Sequence, residues 1–174
     1  AIVSILLTFL FGRLLGPEVF GNYSYLLTLA SLYAIIQDGG FQTLIIRELT
    51  SPTFQQIKVS LVSLSLGHNI LVTATGVLIL IALPLNDRFL LILSIIAFGL
   101  VTTTTFFSSQ LKGQGQFTEE AQWRVTTKTL GALSILFFVF FFAPTIELIF
   151  CGTIVGYGIA LALRPRTCKL KIFF

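Results

Sequence analysis

Residues 135–142 read Ile135-Leu136-Phe137-Phe138-Val139-Phe140-Phe141-Phe142, an unbroken apolar tract. In lipid every backbone N–H and C=O must be satisfied within the protein, so only α-helices and closed β-barrels span a bilayer. A barrel strand alternates apolar and polar side chains over about ten positions. The tract shows no such alternation, and it belongs to a longer apolar segment, residues 125–143, that stops at Pro144. It reads as one face-to-face apolar helix.

Five further hydrophobic segments flank it. They are residues 1–12, closed by Arg13 and Gly16-Pro17; residues 23–46; residues 59–83, before Pro84 and the polar turn Asn86-Asp87-Arg88; residues 89–111; and residues 146–163, before Arg164-Pro165-Arg166. A helix rises about 1.5 Å per residue, so about 20 residues cross the ~30 Å hydrocarbon core. No strand-like alternation, low-complexity tract or soluble domain interrupts the series. The expected fold is all-α, a polytopic helical membrane protein of about six transmembrane helices in a single membrane domain over residues 1–174.

Composition agrees. Of 174 residues, 55% are hydrophobic and 10% charged, with a mean hydropathy of +0.96. Soluble domains carry about 25% charged residues, and a chain this short would have to leave much of its Leu, Ile and Phe on its surface. A soluble globular protein is excluded. The net charge of +4 is better read as topology than as affinity for nucleic acid, and no nucleic-acid partner is expected. Only Arg13 and Arg88 follow the first, third and fifth segments. All other Lys and Arg, among them Arg47, Lys58, Lys112, Arg124 and Lys128, lie in or beside the loops after the second, fourth and sixth. The positive-inside rule places that set, and with it the N-terminus, in the cytoplasm. The chain contains no Met and opens inside an apolar run too short to span, so it is expected to start within the first helix of a longer protein. Cys151 and Cys168 are too few for a disulfide framework.

Signs of catalysis are sparse. His68 is the single histidine, which leaves no His-based metal cluster or His-dependent catalytic pair, and no cofactor is expected. Glu119 and Glu120 fall between the fourth and fifth segments and read as a solvated face. Lys112-Gly113-Gln114-Gly115-Gln116 lacks the Lys-Ser/Thr of a nucleotide-phosphate loop. An enzyme is therefore not expected.

Asp38 is the informative exception. An Asp near the bilayer centre costs about 2.5–3.5 kcal/mol on insertion scales. Ser24, Thr28, Ser31, Asp38 and Gln42 are spaced by three, four or seven residues and share one helix face. The stripe points to a polar cavity, the competing reading being hydrogen bonds that hold neighbouring helices together. Gly39-Gly40 beside Asp38 permits a kink. Ser65, Asn69 and Thr73 share a face of the third segment. The threonines 102–105 are expected to bond to their own helix. Gly152, Gly156 and Ala160 form a small-residue ridge suited to helix packing. Arg13 offers a forked donor to an anionic headgroup.

The stretch Gly12-Arg13-Leu14-Leu15-Gly16-Pro17-Glu18-Val19-Phe20-Gly21-Asn22-Tyr23 resembles the first-helix exit of polysaccharide-type flippases. Asp38-Gly39-Gly40-Phe41-Gln42, Ile46-Arg47-Glu48 and Gln110-Leu111-Lys112-Gly113-Gln114-Gly115-Gln116-Phe117 extend the likeness in order and spacing. These flippases belong to the multidrug/oligosaccharidyl-lipid/polysaccharide exporter superfamily, which includes the Wzx-type O-antigen flippases. The resemblance implies one six-helix lobe of a two-lobe transporter. It further implies alternating access for undecaprenyl-diphosphate-linked oligosaccharide in a bacterial inner membrane, with partners among other polysaccharide-assembly proteins. It makes Arg13, Asp38, Gln42, Arg47 and Arg124 the candidate cavity or gate residues. The alternatives are a cation-coupled drug or metabolite antiporter of the same superfamily and, less favoured, a membrane-bound glycosyl- or acyltransferase.

Overall fold

The computed structural model describes residues 2–50, 58–84 and 87–163, with side-chain environments from residue 5 in the first stretch and residue 61 in the second. The basic tail Arg164, Arg166, Lys169 and Lys171, together with Cys168 and Asn86, lies outside the described residues. The helices are α1 (Ile2–Asp38), α2 (Phe41–Thr50), α3 (Lys58–Ala82), α4 (Arg88–Gly113), α5 (Phe117–Phe141) and α6 (Ile146–Ala162). No strand occurs among the described residues.

Four helical runs are long and apolar enough to cross a membrane: Ile5–Thr50, Leu61–Ala82, Arg88–Gly113 and Phe117–Phe141, with Ile146–Ala162 a shorter apolar helix. The first run has 46 residues, roughly 69 Å at about 1.5 Å per residue, more than twice the hydrocarbon thickness. Glycine breaks it twice. Gly16 takes φ 75° and ψ 166°, and Gly39 and Gly40 take φ 53° and 79°, a region that side chains with a Cβ disfavour. At Gly16 the chain turns sharply. Phe11 and Tyr23 would stand about 18 Å apart along an unbroken helix, yet their ring centroids are 5.8 Å apart. Pro17, whose missing N–H costs nothing at a first helical position, opens the second arm of α1. At Gly39-Gly40 the Gly39 N–H still closes on the Ile35 carbonyl at 3.0 Å, and Leu44 N–H restarts the ladder on Gly40 O at 3.2 Å. The Asp38 carboxylate accepts from Gln42 N–H at 3.4 Å, a weak cap on α2.

Three stretches differ from the hydrophobicity reading. The segment expected over residues 23–46 is two helices, broken where paired glycines release the backbone. The segment expected from residue 125 begins at Phe117, because Thr118, Glu119, Glu120, Gln122 and Arg124 form polar opening turns of α5 rather than a loop. Residues 13–22, expected to part the first two segments, are helical in α1 apart from the turn at Gly16, while residues 59–83, 89–111 and 146–163 match α3, α4 and α6 within two residues.

α4 is the central helix and touches every other one. Leu26, Ala97, Ile146 and Phe150 form a core where α1, α4 and α6 meet. Ile45, Leu49, Val62 and Phe106 form another among α2, α3 and α4. The small-residue ridge of α6 lies directly on α5. A Cβ added to Gly156 would stand 2.8 Å from Gly131 Cα, and one on Gly152 2.8 Å from Ile135 Cα, so the two backbones touch. Outside these cores Phe9, Ile70, Leu71, Leu78, Phe140 and Phe141 are exposed, a surface suited to lipid and not to water.

Candidate functional site

The two ends of the α4–α5 hairpin are joined by Gln114–Gln116. Gly115 turns with φ 74°, and Gln116 N–H reaches back to Leu111 O at 2.9 Å. This short connection brings the last turns of α4 alongside the first turns of α5. Helical spacing puts Thr104, Thr105, Ser108 and Lys112 on one face of α4, and Arg124, Thr127 and Lys128 on the facing side of α5. With Gln42 of α2 and Tyr157 of α6, these side chains line a cavity of about 260 Å³. It is walled by hydroxyls and three cations.

Glu120 stands beside it. The residue is buried, and its Oε1 accepts from Ser108 Oγ and Arg124 Nη2, each at 2.5 Å, with Lys112 Nζ 3.7 Å away. Trp123, also on the lining, is fixed by an Nε1–H bond to Thr104 O at 3.1 Å and by an edge-on contact with Phe107. The expectation of a solvated Glu120 is therefore corrected. The early start of α5 places it one turn before Arg124, an (i, i+4) acid–base pair on one helix face. That spacing was present in the sequence and was the signal to follow.

A second, apolar cavity of about 330 Å³ adjoins the first, walled by side chains such as Leu7, Phe11, Leu27, Phe98 and Ile135. The two share Val101, Lys128 and Tyr157. Lys128 stands at their junction.

Of the five residues singled out by sequence, the structure brings together Gln42 and Arg124 on the cationic cavity. Asp38 sits at the α1–α2 break as the cap described above. Arg47 points outward, its side chain 73% exposed, and pairs with Glu48 at 2.9 Å. Arg13 is exposed near the Gly16 turn and makes no ion pair among the described residues. The polar stripe preceding Asp38 is spent locally. Ser24, Thr28 and Ser31 each donate to a carbonyl of their own helix at 2.8 Å. Lys112 and Lys128, read as topology charges, line the cavity, and Ser108 and Tyr157 join it from positions that periodicity alone does not mark. No group of three or more His, Cys, Asp or Glu able to hold a metal occurs among the described residues.

A bundle of long apolar helices around one central helix, with buried polar groups facing a cation-lined cavity, defines a polytopic membrane protein with an internal polar site. The family model described as polysaccharide biosynthesis protein matches residues 1–163, and the chain belongs to that family. No curated protein and no solved structure matches it.

Proposed function

We propose that the chain acts in a Wzx-type flippase, moving undecaprenyl-diphosphate-linked oligosaccharide between the leaflets of a bacterial inner membrane by alternating access and without chemistry on the substrate. The observation that carries this is the pair of adjoining cavities. Lys112, Arg124 and Lys128 line the polar one, and the apolar one opens beside it at Lys128. An amphiphile with an anionic head and a hydrocarbon chain needs that combination. Charge-assisted hydrogen bonds from a guanidinium or ammonium to phosphate contribute about 1.5–3 kcal/mol each, and the serine and threonine hydroxyls on α4 supply neutral donors. The family membership supports a polysaccharide precursor as the amphiphile.

The charge distribution along the sequence orients the site. The α4–α5 turn and the N-terminus lie on the cytoplasmic side, so the cationic cavity loads from the leaflet on which lipid-linked sugars are assembled. Membrane lipids and other polysaccharide-assembly proteins are its partners.

Deleting the coding sequence tests the assignment. A cell without the transporter still makes the complete lipid-linked oligosaccharide, which accumulates accessible to cytoplasmic reagents alone, while surface polysaccharide disappears. A missing or truncated oligosaccharide would point to a transferase instead. Drug sensitivity with normal surface polysaccharide would point to an antiporter.

A further inference from the structure

Glu120 carries the wrong sign for an anion site, yet it is the best-anchored charged group beside the cavity. Its side chain is 11% exposed, against 36% for Lys112 and 54% for Arg124. Ser108 Oγ at 2.5 Å and the two cations all converge on the same carboxylate oxygen, Oε1, from the cavity lining. The contact with Arg124 uses one guanidinium nitrogen, Nη2, on one carboxylate oxygen. A phosphate entering the cavity can take two guanidinium nitrogens in parallel, one more than this contact uses. Lys128, a further turn along α5, lines the same cavity and makes no ion pair with Glu120 or any other acid among the described residues.

We infer that Glu120 is a built-in counter-ion of the cavity, holding Arg124 and Lys112 while the site is empty and yielding them to the phosphate of an anionic ligand. The inference rests on the cavity being the headgroup site proposed above. Without a resident acid, two neighbouring cations would repel each other. With it, each ion pair broken on binding is replaced by one of the same kind. The carboxylate then stands beside the bound phosphate as a like charge, which weakens binding and lets Glu120 recapture Arg124 and Lys112 as the ligand leaves. A site that must release its cargo on the far side of the membrane gains from that limit on affinity.

The test uses the purified chain in detergent with inorganic pyrophosphate as probe. Trp123, which lines the cavity and is the single tryptophan of the sequence, reports binding by fluorescence. Removing a like charge beside the bound anion favours that anion, so Glu120→Gln is expected to bind pyrophosphate about tenfold more tightly than wild type. Glu120→Asp keeps the charge but draws the carboxylate back from Arg124 and Lys112 by one carbon, and its affinity is expected to rise about threefold. This second variant keeps the test decisive should the first not fold. Affinity that is unchanged or weaker in both variants overturns the counter-ion role and leaves Glu120 as a residue that positions Arg124. An absence of any pyrophosphate response in wild type and variants alike overturns the headgroup site itself.

Discussion

Two polar clusters lie inside this bundle, and they are built on different terms. Between α1, α3 and α4, Gln37 Nε2 donates to Thr73 Oγ1 at 3.0 Å and to Ile95 O at 3.1 Å. Asn69 Nδ2 donates to Gly99 O at 2.8 Å and Thr103 Oγ1 at 2.9 Å. Every member is neutral, and the partners are hydroxyls or backbone carbonyls of a neighbouring helix. At the α4–α5 turn the members are Ser108, Lys112, Glu120 and Arg124, three of them charged, and their surroundings open into a cavity. The first cluster joins helices. The second presents charge to whatever enters. A polar residue in an apolar segment is thus not in itself a sign of a site; what matters is whether its hydrogen bonds close on the bundle or face a cavity.

The contrast is sharpest where function and stability should separate. Replacing both Arg124 and Lys128 with Ala removes two charge-assisted contacts to a phosphate, together worth at least about 3 kcal/mol, and should lower surface polysaccharide roughly a hundredfold. Because Arg124 also pairs with Glu120, stability in a denaturing-detergent titration should fall by up to about 1 kcal/mol, far less than the loss of export. Export preserved in that double variant would place the binding site elsewhere.

Asn69→Ala should act in the opposite sense. It breaks the neutral cluster and should cost about 1–2 kcal/mol of stability in the same titration, with export reduced only as far as the amount of folded protein falls. A large export defect at normal stability would mean that the first cluster also meets the substrate. Asp38→Asn gives the smallest effect of the three. Losing a weak cap costs less than about 1 kcal/mol, and polysaccharide export should remain close to normal. Loss of export with intact folding would assign Asp38 to ion coupling or to cargo, and would revive the antiporter reading.

The sequence carried the helices wherever proline or a charged turn ended an apolar run. Pro84 follows α3 closely, Asp87 and Arg88 open α4, and Pro144 precedes α6. It carried α5 less well, since its first two turns are polar and hydrophobicity cannot distinguish a polar helix start from a loop. The site was half legible. Gln42 and Arg124, two of the five candidates, line the cavity, but Lys112 and Lys128 look like topology charges when counted along the chain. Whether a cation at a helix end anchors to lipid or walls a cavity depends on its angular position around α5 relative to α4. That angle follows from the α4–α5 turn and the packing of α6, neither of which one segment's periodicity contains. In the stripe Ser24, Thr28, Ser31, Asp38 and Gln42, Gln42 reaches the cavity and the three hydroxyls bond within their own helix. Hydroxyls that bond back to their own helix have the same spacing as hydroxyls that line a channel.

The bare glycine contact between α5 and α6 has a mechanical consequence. With Gly152 and Gly156 set against the α5 backbone, the pair has almost no clearance for one helix to slide or roll over the other, and it behaves as a single beam. The beam carries Arg124, Lys128 and Tyr157 as fixed fittings. The backbone breaks of the structure are on the other side, at Gly16 and at Gly39-Gly40, where α1 gives way to α2 and Gln42. A cross-link between α5 and α6 should therefore leave the spacing of Arg124, Lys128 and Tyr157 unchanged.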